Sequence, residues 1–198
     1  MLQNIMLRKL YHWALDLAAQ KHAVPILAFV AFLESSVFPI PPDVLLIPMC
    51  LANRSKAFFY AGICTIFSVL GGIAGYGIGY FLYDTIGIQV LDVYGKAAAF
   101  DTFAGQYNEW GAWIVLGAGL TPFPYKVITI ASGVTQLNLG LFIVFSVIAR
   151  AARFFLVAGL LWKYGAPILK FIEKYLPWVV TGGFILLIGG FIAVKYLL

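Results

Sequence analysis

Charge is scarce in this chain. Only 11% of its 198 residues are Asp, Glu, Lys or Arg, against about 25% in an ordinary soluble domain. A sphere of this size cannot hide from water the 63% of residues that are apolar, so a soluble enzyme and a disordered tail are excluded. Cysteine is as sparse. Cys50 and Cys64 both lie in apolar stretches and form no C-x-x-C pair, which excludes a disulfide scaffold and gives no basis for a metal or redox centre. The two histidines, His12 and His22, fall in the first 22 residues, away from the other chemistry-bearing groups. With no H-E-x-x-H, P-loop or G-x-S-x-G pattern, no metal, no cofactor and no enzymatic reaction is expected. The net charge of +5 reads as loop charge that orients the chain in a bilayer, and no nucleic-acid partner is expected.

What remains is an all-α integral membrane protein. Residues 1–22 carry Ile5, Met6, Leu10, Trp13 and Leu17 at helical spacing with Arg8, Lys9, Asp16 and Lys21 between them. This predicts an amphipathic helix at the membrane surface. Residues 23–52 are apolar but broken at the centre by Glu34, Ser35, Ser36, Pro39, Pro41, Pro42 and Asp43. Proline breaks helices, and irregular backbone at membrane depth survives only under cover of protein or water. The stretch predicts a re-entrant hairpin. Residues 57–83 are long enough to span, with Gly71, Gly75 and Gly79 forming a ridge for close helix packing. An acidic stretch over 84–110 holds Asp84, Asp92, Asp101 and Glu109, and Ile88 to about Trp110 predicts a surface helix. Residues 112–134 repeat the broken pattern around Thr121, Pro122, Pro124 and Lys126; 139–162 form a second span; 166–198 hold a basic loop and a last transmembrane helix.

The two broken segments align without gaps at an offset of 83 residues, with Pro39 on Pro122, Pro41 on Pro124, Val44 on Val127 and Ile47 on Ile130. Basic residues place the N-terminus in the cytoplasm. With 23–52 as a hairpin, Arg54, Lys56, Lys163, Lys170 and Lys174 also fall inside and the acidic stretch falls outside. The repeats are then inverted, and two hairpin tips (Pro39, Pro41 and Pro42; Pro122 and Pro124) face each other from opposite sides.

Glu34, Asp43, Lys126, Arg150 and Arg153 lie inside these apolar segments. Each would cost about 2.5–3.5 kcal/mol at the bilayer centre if unpaired. Asp43 begins a short helix, where the dipole favours it; Lys126 has the equivalent place and needs an anion, either Asp43 or a phosphate. Arg150 and Arg153 share a helix face and can fork onto a phosphate or pair with Glu34 and Asp43. An ion-pair network that only pins the tips together is the plainer alternative.

Glu34 with Phe38-Pro39-Ile40-Pro41-Pro42-Asp43, then Thr121-Pro122-Phe123-Pro124-Tyr125-Lys126 leading to Ala131-Ser132-Gly133, then Ile148-Ala149-Arg150-Ala151-Ala152-Arg153-Phe154-Phe155, together resemble the DedA family. Its core is also called the VTT or SNARE-associated Golgi protein domain, and the closest likeness is to the YqaA-like branch. The resemblance covers about residues 25–165. It implies facing re-entrant hairpins and a flippase or scramblase of the bacterial inner membrane. The cargo would be an anionic lipid, such as polyprenyl phosphate or a phospholipid. Lys126, Arg150 and Arg153 would hold the phosphate, and Glu34 and Asp43 would take up a proton or compete for the bases. A proton-coupled carrier of a small solute or ion, and a structural scaffold, are the alternatives. A homo-oligomer built on the glycine ridges is open.

Overall fold

The structure, a computed structural model, describes residues 22–38, 41–95, 97–121 and 124–165. The expected N-terminal amphipathic helix before His22, the tip prolines Pro39 and Pro122, and the basic loop and last span at 166–198 lie outside those residues.

Every element among the described residues is helical. Helices α1 (Ala23–Ser36) and α2 (Asp43–Ala52) flank the first proline cluster. α2 begins where Pro41 and Pro42 have no N–H to lose; the Val44 N–H donates to Pro41 O and the Leu46 N–H to Pro42 O. A tight turn over Arg54–Lys56 feeds α3 (Ala57–Leu82), which passes through a wider turn at Tyr83–Gly87 into the short α4 (Ile88–Val93). Then follow α5 (Ala97–Leu120), α6 (Tyr125–Val134) and α7 (Leu139–Tyr164). The Asn138 side chain caps α7 by accepting from the Leu141 N–H, and Gly165 ends it at φ +64°.

Among the described residues, two stretches are long and apolar enough to cross a membrane, the continuous helical run Arg54–Gly87 and α7. α1, α2 and α6 are apolar but only 14, 10 and 10 residues long, too short to span.

α3 and α7 are antiparallel neighbours. Phe58 at the start of α3 packs against Phe155 and Trp162 late in α7, Ser68 meets Arg150 at mid-length, and Tyr76 meets Phe142 early in α7. The other helices fill the two ends of this pair. α1 and α2 build an apolar cluster with the first half of α3 and the second half of α7, including Leu27, Leu46, Cys50, Ala61, Cys64, Phe154 and Leu161. Near the opposite end, Tyr107 and Val115 of α5 and Leu137 before α7 build a second cluster with Tyr76 and Phe142. Ile128 and Ala131 of α6 pack against it. Polar groups collect between the clusters.

The glycine ridge explains how the short helices come so close to α3. The Phe32 carbonyl of α1 lies over Gly71, Thr129 of α6 over Gly75, and the Ile130 carbonyl over Gly79; Gly133 in turn admits the Tyr76 carbonyl. A Cβ at any of these positions would overlap those groups. The ridge is thus covered within one chain.

The acidic stretch also differs from expectation. The chain turns at Gly95 (φ +60°) and then continues as a single 24-residue helix through the expected boundary at 110–112. No proline interrupts α5, and Gly111 does not break it because it packs against Leu137. Asp101 and Glu109 lie exposed on its first half.

Candidate functional site

The end of α1, the start of α2, the start of α6 and the middle of α7 converge at mid-length of α3. Their sequences dictate why polar groups gather there. Both proline-bounded breaks leave helix ends at this level, and helix ends carry unsatisfied backbone groups.

Arg150 is the centre of the arrangement and is fully buried, its side chain 0% exposed. Its Nη2 donates to Glu34 Oε2 at 2.5 Å and its Nε to Ser68 Oγ at 2.5 Å. The guanidinium lies between two rings, 4.7 Å from the Tyr125 centroid and 4.8 Å from that of Phe154. Such cation–π contacts strengthen when desolvated. The Tyr125 hydroxyl donates to Ser146 Oγ at 2.5 Å, which holds that ring in place. Nη1 of Arg150 has no partner among the described residues.

A second ion pair lies nearer the surface. Arg153 Nη2 donates to Asp43 Oδ2 at 2.6 Å and Nη1 donates to the Thr121 carbonyl at 3.3 Å. The two side chains are 20% and 21% exposed. Asp43 Oδ1 is buried without a partner among the described residues. Arg150 and Arg153 thus share a helix face as the i, i+3 spacing requires; Arg150 ties α7 to the end of α1 and Arg153 ties it to the start of α2.

Lys126 corrects a specific expectation. It does not pair with Asp43. Its Nζ donates to the Val37 carbonyl at 3.2 Å. The physical reason is the end of α1. Val37 caps that helix, and carbonyls at a helix C-terminus are free and carry the negative end of the dipole. Asp43 meanwhile is taken by Arg153. Three bases and two acids therefore give two ion pairs and one lysine whose described hydrogen-bond partner is a backbone carbonyl. Pro41, Pro42 and Pro124 border this centre at the starts of α2 and α6.

Buried hydroxyls complete the site, and sequence reasoning missed their role. Ser35 Oγ donates to Glu34 Oε2 at 3.0 Å and lies 2.6 Å from Ser68 Oγ. Thr129 Oγ1 is 3.1 Å from the Ser35 carbonyl, where Gly75 makes room for it. The signal was present: Ser68 is a lone serine in an apolar span, and Ser35 directly follows Glu34. Among the described residues there is no group of acidic, histidine or cysteine side chains that could hold a metal ion. The arrangement brings two arginines and a lysine, donors of the kind that suit an oxyanion, to one level of the bundle.

No protein-family model matches the chain, and no solved structure matches it. Two curated relatives do. An uncharacterized protein of Haemophilus influenzae is 38% identical over 168 residues, covering 83% of this chain and 87% of the relative. An uncharacterized homologue from Histophilus somni is 38% identical over 176 residues, covering 87% of this chain and 91% of the relative. At this identity and coverage, the chain belongs to the family that these two bacterial proteins represent.

Proposed function

We propose that the protein is a DedA-type lipid transporter of the bacterial inner membrane. It moves an anionic, phosphate-bearing lipid such as polyprenyl phosphate or a phospholipid between leaflets. The observation that carries this reading is the surplus of positive charge at the centre: two arginines paired with two carboxylates, beside a lysine donating to a backbone carbonyl. Ionisable groups at membrane depth are expensive and mark pathways. A phosphate entering here would find Lys126 and one nitrogen of Arg150 ready to donate. Glu34 and Asp43 would release the arginines as the head group arrives, with a proton as the candidate co-substrate.

The inverted-repeat architecture belongs to the same proposal. Its support is the antiparallel pairing of two 26-residue helices, α3 and α7, each preceded by a 10-residue helix. The hairpin tips meet at mid-length through the Lys126–Val37 and Thr129–Ser35 contacts, and Arg153 of α7 bonds both Asp43 and the Thr121 carbonyl. Re-entrant hairpins entering from opposite sides give this geometry, with the N-terminus in the cytoplasm. Head groups would pass the tips while lipid tails stay in the bilayer.

The test is leaflet exchange of a labelled anionic lipid in proteoliposomes. Wild type is compared with Asp43→Asn and Arg150→Ala after each is shown to be folded. Exchange by wild type that fails in both variants supports the reading. Normal exchange by both variants removes the site from the mechanism. The absence of exchange in wild type moves the reading to a solute carrier or to a scaffold, which the two close ion pairs would serve.

A further inference from the structure

A guanidinium can only donate hydrogen bonds, and a carboxylate can only accept them. Two hydroxyls lie between Arg150 Nε and Glu34, so these end conditions fix every proton along the way. Nε donates to Ser68 Oγ. Ser35 gives its single proton to Glu34 Oε2. The 2.6 Å contact between the two hydroxyls must therefore be made by the Ser68 proton. The chain runs one way, from guanidinium to carboxylate. Arg150 Nη2 closes the ring by donating to the same Oε2.

This ring sits at a special place. Ser68 and Arg150 are each the twelfth residue of a 26-residue helix, and they touch where those helices run antiparallel past each other. One helix supplies the base at that level and the other supplies its acceptor. Bonds at both Nε and Nη2 fix the rotation of the guanidinium, and the Tyr125 and Phe154 rings fix its plane.

We propose that Ser68, acting with Ser35, is the positioning residue for Arg150: the two hydroxyls lock the guanidinium so that Nη1 is the nitrogen presented to a phosphate oxygen. The last step rests on the lipid-phosphate reading; the locking does not. A one-way chain of this kind cannot pass a proton toward Arg150, because Nε has no lone pair to receive it. The serines orient the arginine and are no relay to it.

The experiment uses full-length protein labelled with 15N-arginine in lipid nanodiscs, with the Arg150 Nε–H signal identified by its loss in Arg150→Lys. In wild type this proton exchanges slowly with solvent. In Ser68→Ala its exchange accelerates by about tenfold or more, as expected when a buried charge-assisted bond is lost. Ser35→Ala gives a smaller acceleration, and Ser68→Thr, which keeps the hydroxyl, restores protection. Cys64→Ala removes a buried group one turn away on the same helix and leaves the proton protected. Lipid exchange is measured on the same samples and falls about tenfold in Ser68→Ala with recovery in Ser68→Thr. Equal protection in wild type and Ser68→Ala overturns the proposal. So does equal loss in Ser68→Ala and Cys64→Ala, which marks general loosening. Protection that follows the hydroxyl, in a protein that exchanges no lipid even as wild type, upholds the positioning and rejects the lipid reading.

Discussion

Removing one member of the Glu34–Arg150 pair should cost far more than removing both. Glu34→Gln leaves the Arg150 guanidinium charged, fully buried and without its carboxylate. Breaking a buried pair in this way costs about 3–5 kcal/mol. Arg150→Met is milder, about 2–4 kcal/mol, because the Glu34 carboxylate it leaves behind is 14% exposed rather than fully buried. The double variant buries neither charge. It forfeits the Ser68 bond and the two ring contacts, a loss of about 1–2 kcal/mol. The coupling between the two positions should then be at least about 3 kcal/mol. For Asp43 and Arg153, both about one-fifth exposed, the same cycle should give less than about 1 kcal/mol. Unfolding in mixed micelles, titrated with a denaturing detergent, measures all seven proteins of the two cycles. Single-variant costs at Glu34 and Arg150 that add to within about 0.5 kcal/mol would refute the view that each charge is there for the other.

Other consequences follow from the packing. Gly79→Ala should destabilise by about 1–3 kcal/mol, because the new methyl meets the Ile130 backbone, whereas Gly77→Ala on the open side of α3 should be neutral or slightly stabilising; thermal unfolding in detergent separates them. Asn138→Ala removes the cap of α7 and should cost about 1 kcal/mol in the same assay. On the opposed-hairpin reading, cysteines placed at Ser55 and Gln136, exposed just after α2 and α6, should react with an impermeant maleimide from opposite sides of a sealed vesicle. The native Cys50 and Cys64 are buried and should stay silent. Labelling of both sites from one side would end the opposed-hairpin reading.

Much of this arrangement is written in composition and punctuation. Proline pairs and the run of apolar letters locate the breaks between α1 and α2 and between α5 and α6, because proline lacks the donor a helix needs. The glycines at every fourth position locate the contact face of α3. The length of α5 was not legible, since acidic and apolar halves of one helix look like two elements when read by polarity alone. Partner choice was not legible either. Lys126 and Asp43 occupy equivalent positions and have opposite charge, yet the lysine reaches a helix-end carbonyl and the carboxylate reaches Arg153. Side-chain direction depends on how α2 and α6 are offset along α7, which repeat alignment does not specify. The serine pair escaped for the same reason. Ser35 and Ser68 are 33 residues apart, and only the α1–α3 approach over Gly71 and Gly75 brings them together.

The energetics argue against a purely mechanical role for the charges. The short helices α1 and α6 are already held to α3 by close approach over four glycines and by two apolar clusters at the ends of the bundle. Buried ion pairs add little to such packing, since desolvation cancels most of their attraction, and apolar replacements of similar volume are often neutral or better. A chain under selection for a firm scaffold alone could therefore dispense with Glu34 and Arg150 together. It could also dispense with Lys126, whose bond to the Val37 carbonyl joins two tips that Thr129 already joins through Ser35. Charges that folding does not require are the ones a transport cycle can break and remake. That gives the Glu34→Gln/Arg150→Met variant a second use: it should fold nearly as well as wild type and exchange no lipid, and a folded double variant that still exchanges lipid would leave the buried pair without any role.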